Sequence, residues 1–200
     1  AFDAAAEAAG KTADIHIKID TGMSRIGFLP DEESLAEIER IHGLKHLRIQ
    51  GMFTHFACAD MRDKTHVGHQ IEKFHGMVDA VRKRGIPVEI FHCSNSASIM
   101  ELPSEHMNMV RAGIILYGLY PSHEMAEERL PLKPVMSLYS HVVHIKEVEA
   151  GVTVGYGATY TTEHPTRIAT VPVGYADGYP RLASSKTRAL VAGKPAKVVG

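Results

Sequence analysis

The chain has 200 residues, of which 44% are hydrophobic and 22% charged, and its formal net charge is -1. This composition is ordinary for a globular protein and excludes a disordered or fibrous class, while the balance of charges gives no support for a nucleic-acid partner. No apolar run reaches the length of a membrane span, and Cys58 and Cys93 are too few for a disulfide framework, so we expect a cytoplasmic protein.

Both ends of the sequence lie inside or directly beside a regular pattern. The chain begins within an alanine-rich helical stretch that has no start methionine, and it stops directly after a strand pattern. We therefore expect these residues to be a piece of a longer chain.

Helix and strand patterns alternate through the first 118 residues. The predicted helices cover residues 1–9, 31–42 and 64–84, and the predicted strands cover residues 15–20, 47–56, 88–92 and 108–118. This alternation predicts parallel βαβ units, in either a doubly wound sheet or a slice of an eight-stranded α/β barrel.

Polar residues follow each predicted strand at its carboxyl end. In a barrel these ends face one common site. The candidates are Asp20 and Arg25 after the first strand, His55 at the end of the second, Asn95 and Ser96 after the third, and Arg111 and Gly113 in the fourth.

Arg111 is the anomaly of the apolar stretch 108–118. A guanidinium cannot lose its charge, so it needs a carboxylate, a phosphate, an aromatic ring or a lone-pair acceptor. One interpretation is a structural arginine that is paired with a carboxylate in the core. The other is an arginine that contacts a ligand. Gly113 supports this second interpretation, because its missing side chain would let a ligand approach the backbone N–H groups.

Residues 94–96 begin a predicted helix and resemble an anion cradle. Hydroxyl groups and free N–H groups at a helix start suit a phosphate, and the N–H groups of Gly113 and Ile114 would add to them. Plain helix capping explains the same residues equally well. No glycine-rich nucleotide motif is present.

A linker rich in proline and charge follows Gly118, and only strand patterns follow residue 132. We predict two domains, residues 1–131 and 132–200. Within the second, Tyr156 and Tyr175 lie in glycine-rich turns, where a tyrosine is either an exposed turn residue or a phenol projected towards another domain or subunit. His66, His69 and His75 share the long helix, but a solvated helix face explains them better than a metal site.

Six stretches together resemble bacterial alanine racemase, in the order found in that family. They are residues 16–27 (HIKIDTGMSRIG), 54–57 (THFA), 92–97 (HCSNSA), 108–118 (NMVRAGIILYG), 155–160 (GYGATY) and 173–178 (VGYADG). The resemblance implies a pyridoxal 5′-phosphate enzyme with an eight-stranded α/β barrel followed by a β domain, which works as a head-to-tail homodimer. It also implies racemisation of L- and D-alanine, which supplies D-alanine for peptidoglycan.

The resemblance implies a role for each candidate residue. Arg111 is similar to the arginine that hydrogen-bonds the cofactor's pyridine nitrogen, and His55 to the histidine linked to it. The phosphate cradle would contain Ser96, Gly113 and Ile114, and Asn95, at the same helix start, is a further candidate for binding the cofactor. Arg25 resembles the arginine at the cofactor's phenolic oxygen, and Lys18 resembles the lysine that is often carbamylated. Tyr156 resembles the catalytic tyrosine delivered to the partner subunit. Tyr175 and Arg181 resemble residues of the substrate entrance, to which we also assign Arg25.

Part of the family pattern is not matched. No stretch resembles the VKANAYGHG motif that carries the Schiff-base lysine, and neither the Met-Asp pair nor the phosphate-binding tyrosine of the later β domain is matched. We therefore predict the second half of the barrel plus the start of the β domain, inactive by itself. Two alternatives remain: a serine or broad-specificity racemase, and a non-catalytic cofactor-binding barrel. A decarboxylase of this fold is less well supported, because that branch resembles proteins with a carboxylate at the position of Arg111.

Overall fold

The structure, a computed structural model, describes residues 1–125 and 129–200. The chain divides into two compact units, Ala1–Met136 and Ser137–Gly200. The division of the protein into functional domains at residue 131 stays a prediction. No helix in the described part of the chain is both long and apolar enough to cross a membrane.

The first unit alternates helices and parallel strands. Its elements are α1 (Phe2–Ala8), β1 (Ala13–Lys18), α2 (Glu32–His42), β2 (Leu47–Phe53), α3 (Thr65–Lys83), β3 (Ile90–His92) and α4 (Ser96–Glu101), with 3-10 turns at Pro103–Glu105 and Ile114–Tyr117. The three strands form one parallel sheet in the order β1-β2-β3. The predicted βαβ pattern is thus confirmed for these elements.

Helix α2 forms where sequence periodicity and capping agree, whereas α3 has no side-chain cap at its N-terminus and forms where periodicity alone predicts it. The Asp31 side chain accepts a hydrogen bond from the Ser34 N–H at 2.8 Å and so caps α2. On α3, Phe74, Val78 and Val81 recur at helical spacing and are each almost fully buried. These faces pack into one hydrophobic core with side chains from the strands.

The register of the parallel sheet brings distant polar residues together. His16 lies opposite Gly51, and Phe53 lies between Lys18 on one side and His92 on the other. A Cβ atom at Gly51 would lie 2.5 Å from atoms of the His16 ring, so the absent side chain admits the imidazole.

The predicted strand at residues 108–118 is wrong. Residues 109–113 join no described strand, and residues Ile114–Tyr117 form a 3-10 turn. The reason lies in the backbone bonds: the Arg111 N–H donates to the Ser94 carbonyl, but the Gly113 N–H donates to the Ser96 hydroxyl instead of a strand partner. The Asn108 side chain bonds Phe91 N–H and Glu89 C=O, which occupies the edge that a strand would pair with.

The second unit consists of short antiparallel pairs. Its strands are β4 (His144–Val148), β5 (Thr153–Val154), β6 (Tyr160–Thr161), β7 (Thr166–Thr170), β8 (Arg188–Val191) and β9 (Lys194–Lys197), and β4 pairs with β7, β5 with β6 and β8 with β9. Its 3-10 turns are Tyr156–Ala158, Tyr175–Asp177 and Arg181–Ala183. The strand-rich composition expected after residue 132 is confirmed for the described elements.

Candidate active site

The Arg111 guanidinium is held by neutral acceptors from two strand ends. Its Nη2 donates to the Thr54 carbonyl at 2.9 Å and contacts His55 Nδ1 at 3.2 Å and the Cys93 carbonyl at 3.4 Å, while Nη1 donates to His92 Nδ1. Its Cζ lies 5.3 Å from the centre of the Phe53 ring. Among the described residues no carboxylate forms an ion pair with this arginine. The interpretation of Arg111 as a structural partner of a core carboxylate is therefore wrong for the described chain.

A chain of hydrogen bonds runs from Arg111 through two histidines. Because a guanidinium only donates, His92 Nδ1 must accept, and the neutral ring then carries its proton on Nε2. That Nε2 lies 2.8 Å from His16 Nδ1, and His16 Nε2 lies 3.4 Å from Gln50 Oε1. Arg111 therefore determines the direction of every hydrogen bond in this series, because each imidazole accepts on one nitrogen and donates on the other.

The two imidazoles beside Arg111 are kept neutral. Burial, helped by Arg111 and His16, lowers the pKa of His92 to about 4. Burial also lowers the pKa of His55, and the positive charges of Arg111, Arg25 and Lys18 act in the same direction. At neutral pH both rings therefore present lone pairs to the guanidinium rather than a competing positive charge.

Lys18 is buried beside this cluster, and its charge interacts with those of His55 and Arg111. Its Nζ donates to the Ile19 carbonyl at 3.1 Å and lies 5.8 Å from the centre of the Phe53 ring. Burial lowers the pKa of Lys18, Asp20 opposes that shift, and Arg25 and Arg111 add to it. Lys18 therefore loses its proton more readily than an exposed lysine and forms the neutral amine more easily.

The loop that carries Arg25 is organised by one carboxylate. Asp20 Oδ1 accepts hydrogen bonds from the backbone N–H groups of Gly22, Met23 and Ser24, each at 3.0 Å. Burial by itself would raise the pKa of Asp20, but these three donors together hold it below its usual value. Arg25 is exposed on this loop.

The residues predicted to form an anion cradle lie together. Ser96 Oγ, which is buried, accepts the Gly113 N–H at 2.9 Å and so keeps its own proton for another acceptor. A Cβ atom at Gly113 would lie 3.4 Å from that oxygen. Asn95 differs, since its side chain accepts the Ser98 N–H and donates to the Phe56 carbonyl, which makes it the cap of α4. Ile114 begins the 3-10 turn and is partly exposed.

Three predicted site residues belong to the second unit. Tyr156 is 81% exposed in the turn after Gly155, whose φ of 77° is the left-handed region that glycine favours. Tyr175 and Arg181 begin two further turns, and Asp177 closes the first of these by accepting the Gly174 N–H at 2.9 Å. The first unit thus brings together Arg111, His55, Ser96, Gly113 and Lys18, and the second presents an exposed phenol.

Three residues of the site were not found from the sequence: His16, His92 and Phe53. A polar residue in a strand pattern is ordinarily expected to face solvent, and only the parallel register reveals that His16 and His92 meet. Gly51 in the middle of a strand was the available signal, because such a glycine often marks a close approach. Within the described residues no cluster of three or more histidine, cysteine or acidic side chains is arranged to hold a metal ion.

Two family models match the chain along most of its length. The model described as "Alanine racemase, N-terminal domain" matches residues 1–121, and "Alanine racemase, C-terminal domain" matches residues 135–200. The chain belongs to the alanine racemase family. The first unit is accordingly part of the α/β barrel of this family, and the second is part of its β domain.

Known alanine racemases resemble the chain in sequence and in structure. The enzyme of Desulforamulus reducens is 49% identical over 197 residues, which are 98% of this chain and 53% of the relative. The structure from Clostridium difficile 630 has a TM-score of 0.88 at 46% identity and covers 99% of this chain and 52% of that one, and the structure from D-cycloserine producing Streptomyces lavendulae has a TM-score of 0.89 at 39% identity with 99% and 53% covered. The chain spans about half the length of the curated relatives it matches.

Proposed function

We propose that this chain is part of an alanine racemase that uses pyridoxal 5′-phosphate to interconvert L-alanine and D-alanine. The observation that carries the proposal is Arg111, a partly buried cation held by two neutral imidazoles and two backbone carbonyls, with no ion-pair partner among the described residues. Such an arrangement suits a neutral acceptor such as a pyridine nitrogen. A cytoplasmic location and a role in supplying D-alanine for peptidoglycan belong to the same proposal.

The residues present fit the cofactor. Of the five N–H groups of a guanidinium, those on Nη2 and one on Nη1 are engaged, and Arg111 Nε has no acceptor among the described residues. We propose that Arg111 donates to the ring nitrogen, that Arg25 contacts the phenolic oxygen, and that Ser96, Gly113 and Ile114 bind the phosphate. Asn95 would support this cradle by capping α4.

The protein's part in the reaction is to control protons. The cofactor supplies an electron-withdrawing ring that acidifies the α-proton of the bound amino acid. Arg111 keeps its own protons, so it hydrogen-bonds the ring nitrogen without protonating it, which limits side reactions. His55 accepts from Arg111 and so holds the guanidinium in place.

A racemase needs an acid-base group on each face of the α-carbon. We propose Tyr156 for one face, delivered to the site of a partner subunit in a head-to-tail homodimer, with Tyr175 and Arg181 at the substrate entrance. The exposure of Tyr156 supports its use by another subunit. The family's lysine would serve the other face, and no residue of this chain matches its motif.

We also propose that Lys18 is carbamylated. A neutral amine adds to carbon dioxide with loss of one proton, and the burial that lowers the pKa of Lys18 favours that neutral form. The resulting negative group would lie near the positive charges of Arg25 and Arg111, which act on Lys18 electrostatically.

The experiment that tests this function uses the complete protein that carries this chain. Purified protein with pyridoxal 5′-phosphate is incubated with L-alanine or with L-serine, and both enantiomers are quantified by chiral chromatography. We expect D-alanine to form faster than D-serine, and Arg111→Met to abolish most of this activity while the surface variant Arg82→Met retains it. Failure of cofactor-loaded protein to racemise alanine would overturn the proposal. Faster racemisation of serine than of alanine would make serine the proposed substrate instead.

A further inference from the structure

Gln70 of α3 is a fully buried polar side chain that contacts the backbone next to the Arg111 cluster. Only 1% of its surface is exposed, and its side-chain amide makes three hydrogen bonds. Its Oε1 accepts the Ala57 N–H at 2.9 Å, and its Nε2 donates to the His55 carbonyl at 3.1 Å and to Thr21 Oγ1 at 3.2 Å. Because the Ala57 N–H can only donate, the orientation of the amide is unambiguous.

These bonds replace a missing strand partner. Strand β2 ends at Phe53, so the backbone of His55 and Ala57 has no ladder to satisfy it. The Gln70 amide offers one acceptor and one donor to the N–H and C=O groups that flank Phe56, as a neighbouring strand would. Both bonds are partly buried, so an unmade bond at either group would cost at most about 1–3 kcal/mol.

The same amide is connected to Arg111 by a second route. Thr21 Oγ1 lies 2.7 Å from Thr54 Oγ1, and both hydroxyls are buried. The Thr54 carbonyl accepts from Arg111 Nη2 at 2.9 Å, and His55 Nδ1 contacts the same nitrogen. Gln70 therefore contacts the backbone of His55 directly and that of Thr54 through one hydroxyl.

We propose that Gln70 is a positioning residue, which holds the His55 imidazole against Arg111 by fixing the backbone on both sides of Phe56. Its value for catalysis rests on the proposed function, because His55 serves the reaction only if Arg111 binds the cofactor ring. The positioning itself is a property of this chain and is measurable without cofactor.

The test follows the titration of His55 in the complete, cofactor-free protein labelled with 13C at histidine Cε1. The charged groups that act on His55 are Arg111, Arg25 and Lys18, which lie on three different segments. Gln70→Met keeps the volume and removes all three bonds, so His55 moves out of its half-buried place and its pKa rises towards the ordinary value of about 6.5. His55→Gln identifies the signal. A pKa that stays at the wild-type value in folded Gln70→Met protein overturns the proposal.

Val67→Ala is the matched control. Val67 lies one turn earlier on α3, is 1% exposed, and has no polar group. Its truncation loosens the same helix by an amount typical of lost core methyl groups, yet it should leave the pKa of His55 unchanged. An equal pKa change in Val67→Ala would show that any weakening of α3 moves His55, and would refute a specific role for Gln70.

Hydrogen exchange adds a second measurement, and its wild-type arm keeps the proposal testable even if Gln70→Met does not fold. In the wild-type protein the Ala57 N–H should be protected, and in folded Gln70→Met it should exchange on the order of tenfold faster. An unprotected Ala57 N–H in the wild-type protein would overturn the proposal by itself. Failure of the complete protein to racemise alanine would instead refute the proposed function and leave these results standing.

Discussion

His92 links the charge of Arg111 to the stability of the protein. It accepts from the guanidinium on one nitrogen and donates to His16 on the other, and its ring stacks on Phe53 with centres 4.8 Å apart. Protonation of His92 would place two positive charges in contact and break the acceptor bond. The folded state therefore requires the neutral ring.

We expect His92→Asn to flatten the acid side of the stability profile. The pKa of His92 is about 4 in the folded protein and near 6.5 when unfolded. Between these values the unfolded chain binds more protons, so stability falls as the pH is lowered from about 6.5 to about 4 and levels off below. The free energy of urea unfolding, measured from pH 4 to 7.5, should fall less steeply in His92→Asn. His55, whose pKa is also lowered, keeps part of the slope.

The exposed His69→Gln is the control for this experiment. It should reproduce the wild-type slope, because an exposed imidazole interacts with water in both states. If His92→Asn has the same slope as the wild type, His92 is not held neutral by the fold.

At the scale of elements, the helices and three strands were predictable because their apolar spacing determines which face is buried. The predicted strand at residues 108–118 failed because Gly113 donates to a side chain and Asn108 already occupies the edge of β3. The candidates at strand ends could be named because parallel strands bring those ends together. The roles of His16, His92 and Gln70 could not be predicted from the sequence, because their hydrogen-bond partners depend on strand register and helix rotation rather than on residue spacing.

The pairing of β1 with β2 depends on the missing side chain at Gly51. We expect Gly51→Ala to displace the His16 ring and to destabilise the protein by about 1–3 kcal/mol through overpacking. Gly76→Ala on α3, where nothing lies within 4 Å of the added carbon, should instead be neutral or stabilise by about 0.5–1 kcal/mol. Urea unfolding compares the two variants, and equal stability of Gly51→Ala and wild type would contradict the close approach of His16.

The loop after β1 depends on Asp20. Asp20→Ala removes the acceptor of three backbone N–H groups, so the amides of Gly22, Met23 and Ser24 should exchange faster with deuterium while the helices keep their protection. Asp31→Ala is the control, since it removes the cap of α2 and should leave this loop unchanged. Unchanged exchange of the three amides in Asp20→Ala would show that the loop has another anchor.

At the scale of the whole molecule, the proposed site combines Arg111 of one subunit with Tyr156 of its partner. Tyr156→Phe should reduce racemisation by roughly 10²–10⁴-fold, the usual contribution of a positioned acid-base group. The loss should be one-sided: exchange of the α-proton with deuterium should persist from D-alanine and nearly vanish from L-alanine. Equal exchange from both enantiomers would exclude Tyr156 as the base for L-alanine.

Mixed dimers test the sharing of sites. Tyr156→Phe and Arg111→Met are each expected to be nearly inactive alone. After the two variants are unfolded together and refolded, each mixed dimer should contain one site with both native residues, so activity should reappear. Refolded wild-type protein is the control for recovery. Without any recovered activity, both residues would have to come from the same subunit.

The 15N chemical shift of the pyridine nitrogen in the bound cofactor tests most directly whether Arg111 donates to it. In the complete protein, loaded with cofactor labelled at that nitrogen, we predict the shift of an unprotonated, hydrogen-bonded pyridine, because a guanidinium keeps its protons. Arg111→Glu should move the shift towards that of a pyridinium, since a carboxylic acid can give its proton up. A pyridinium shift in the wild-type protein, or one that does not change in Arg111→Glu, would contradict the assignment of Arg111.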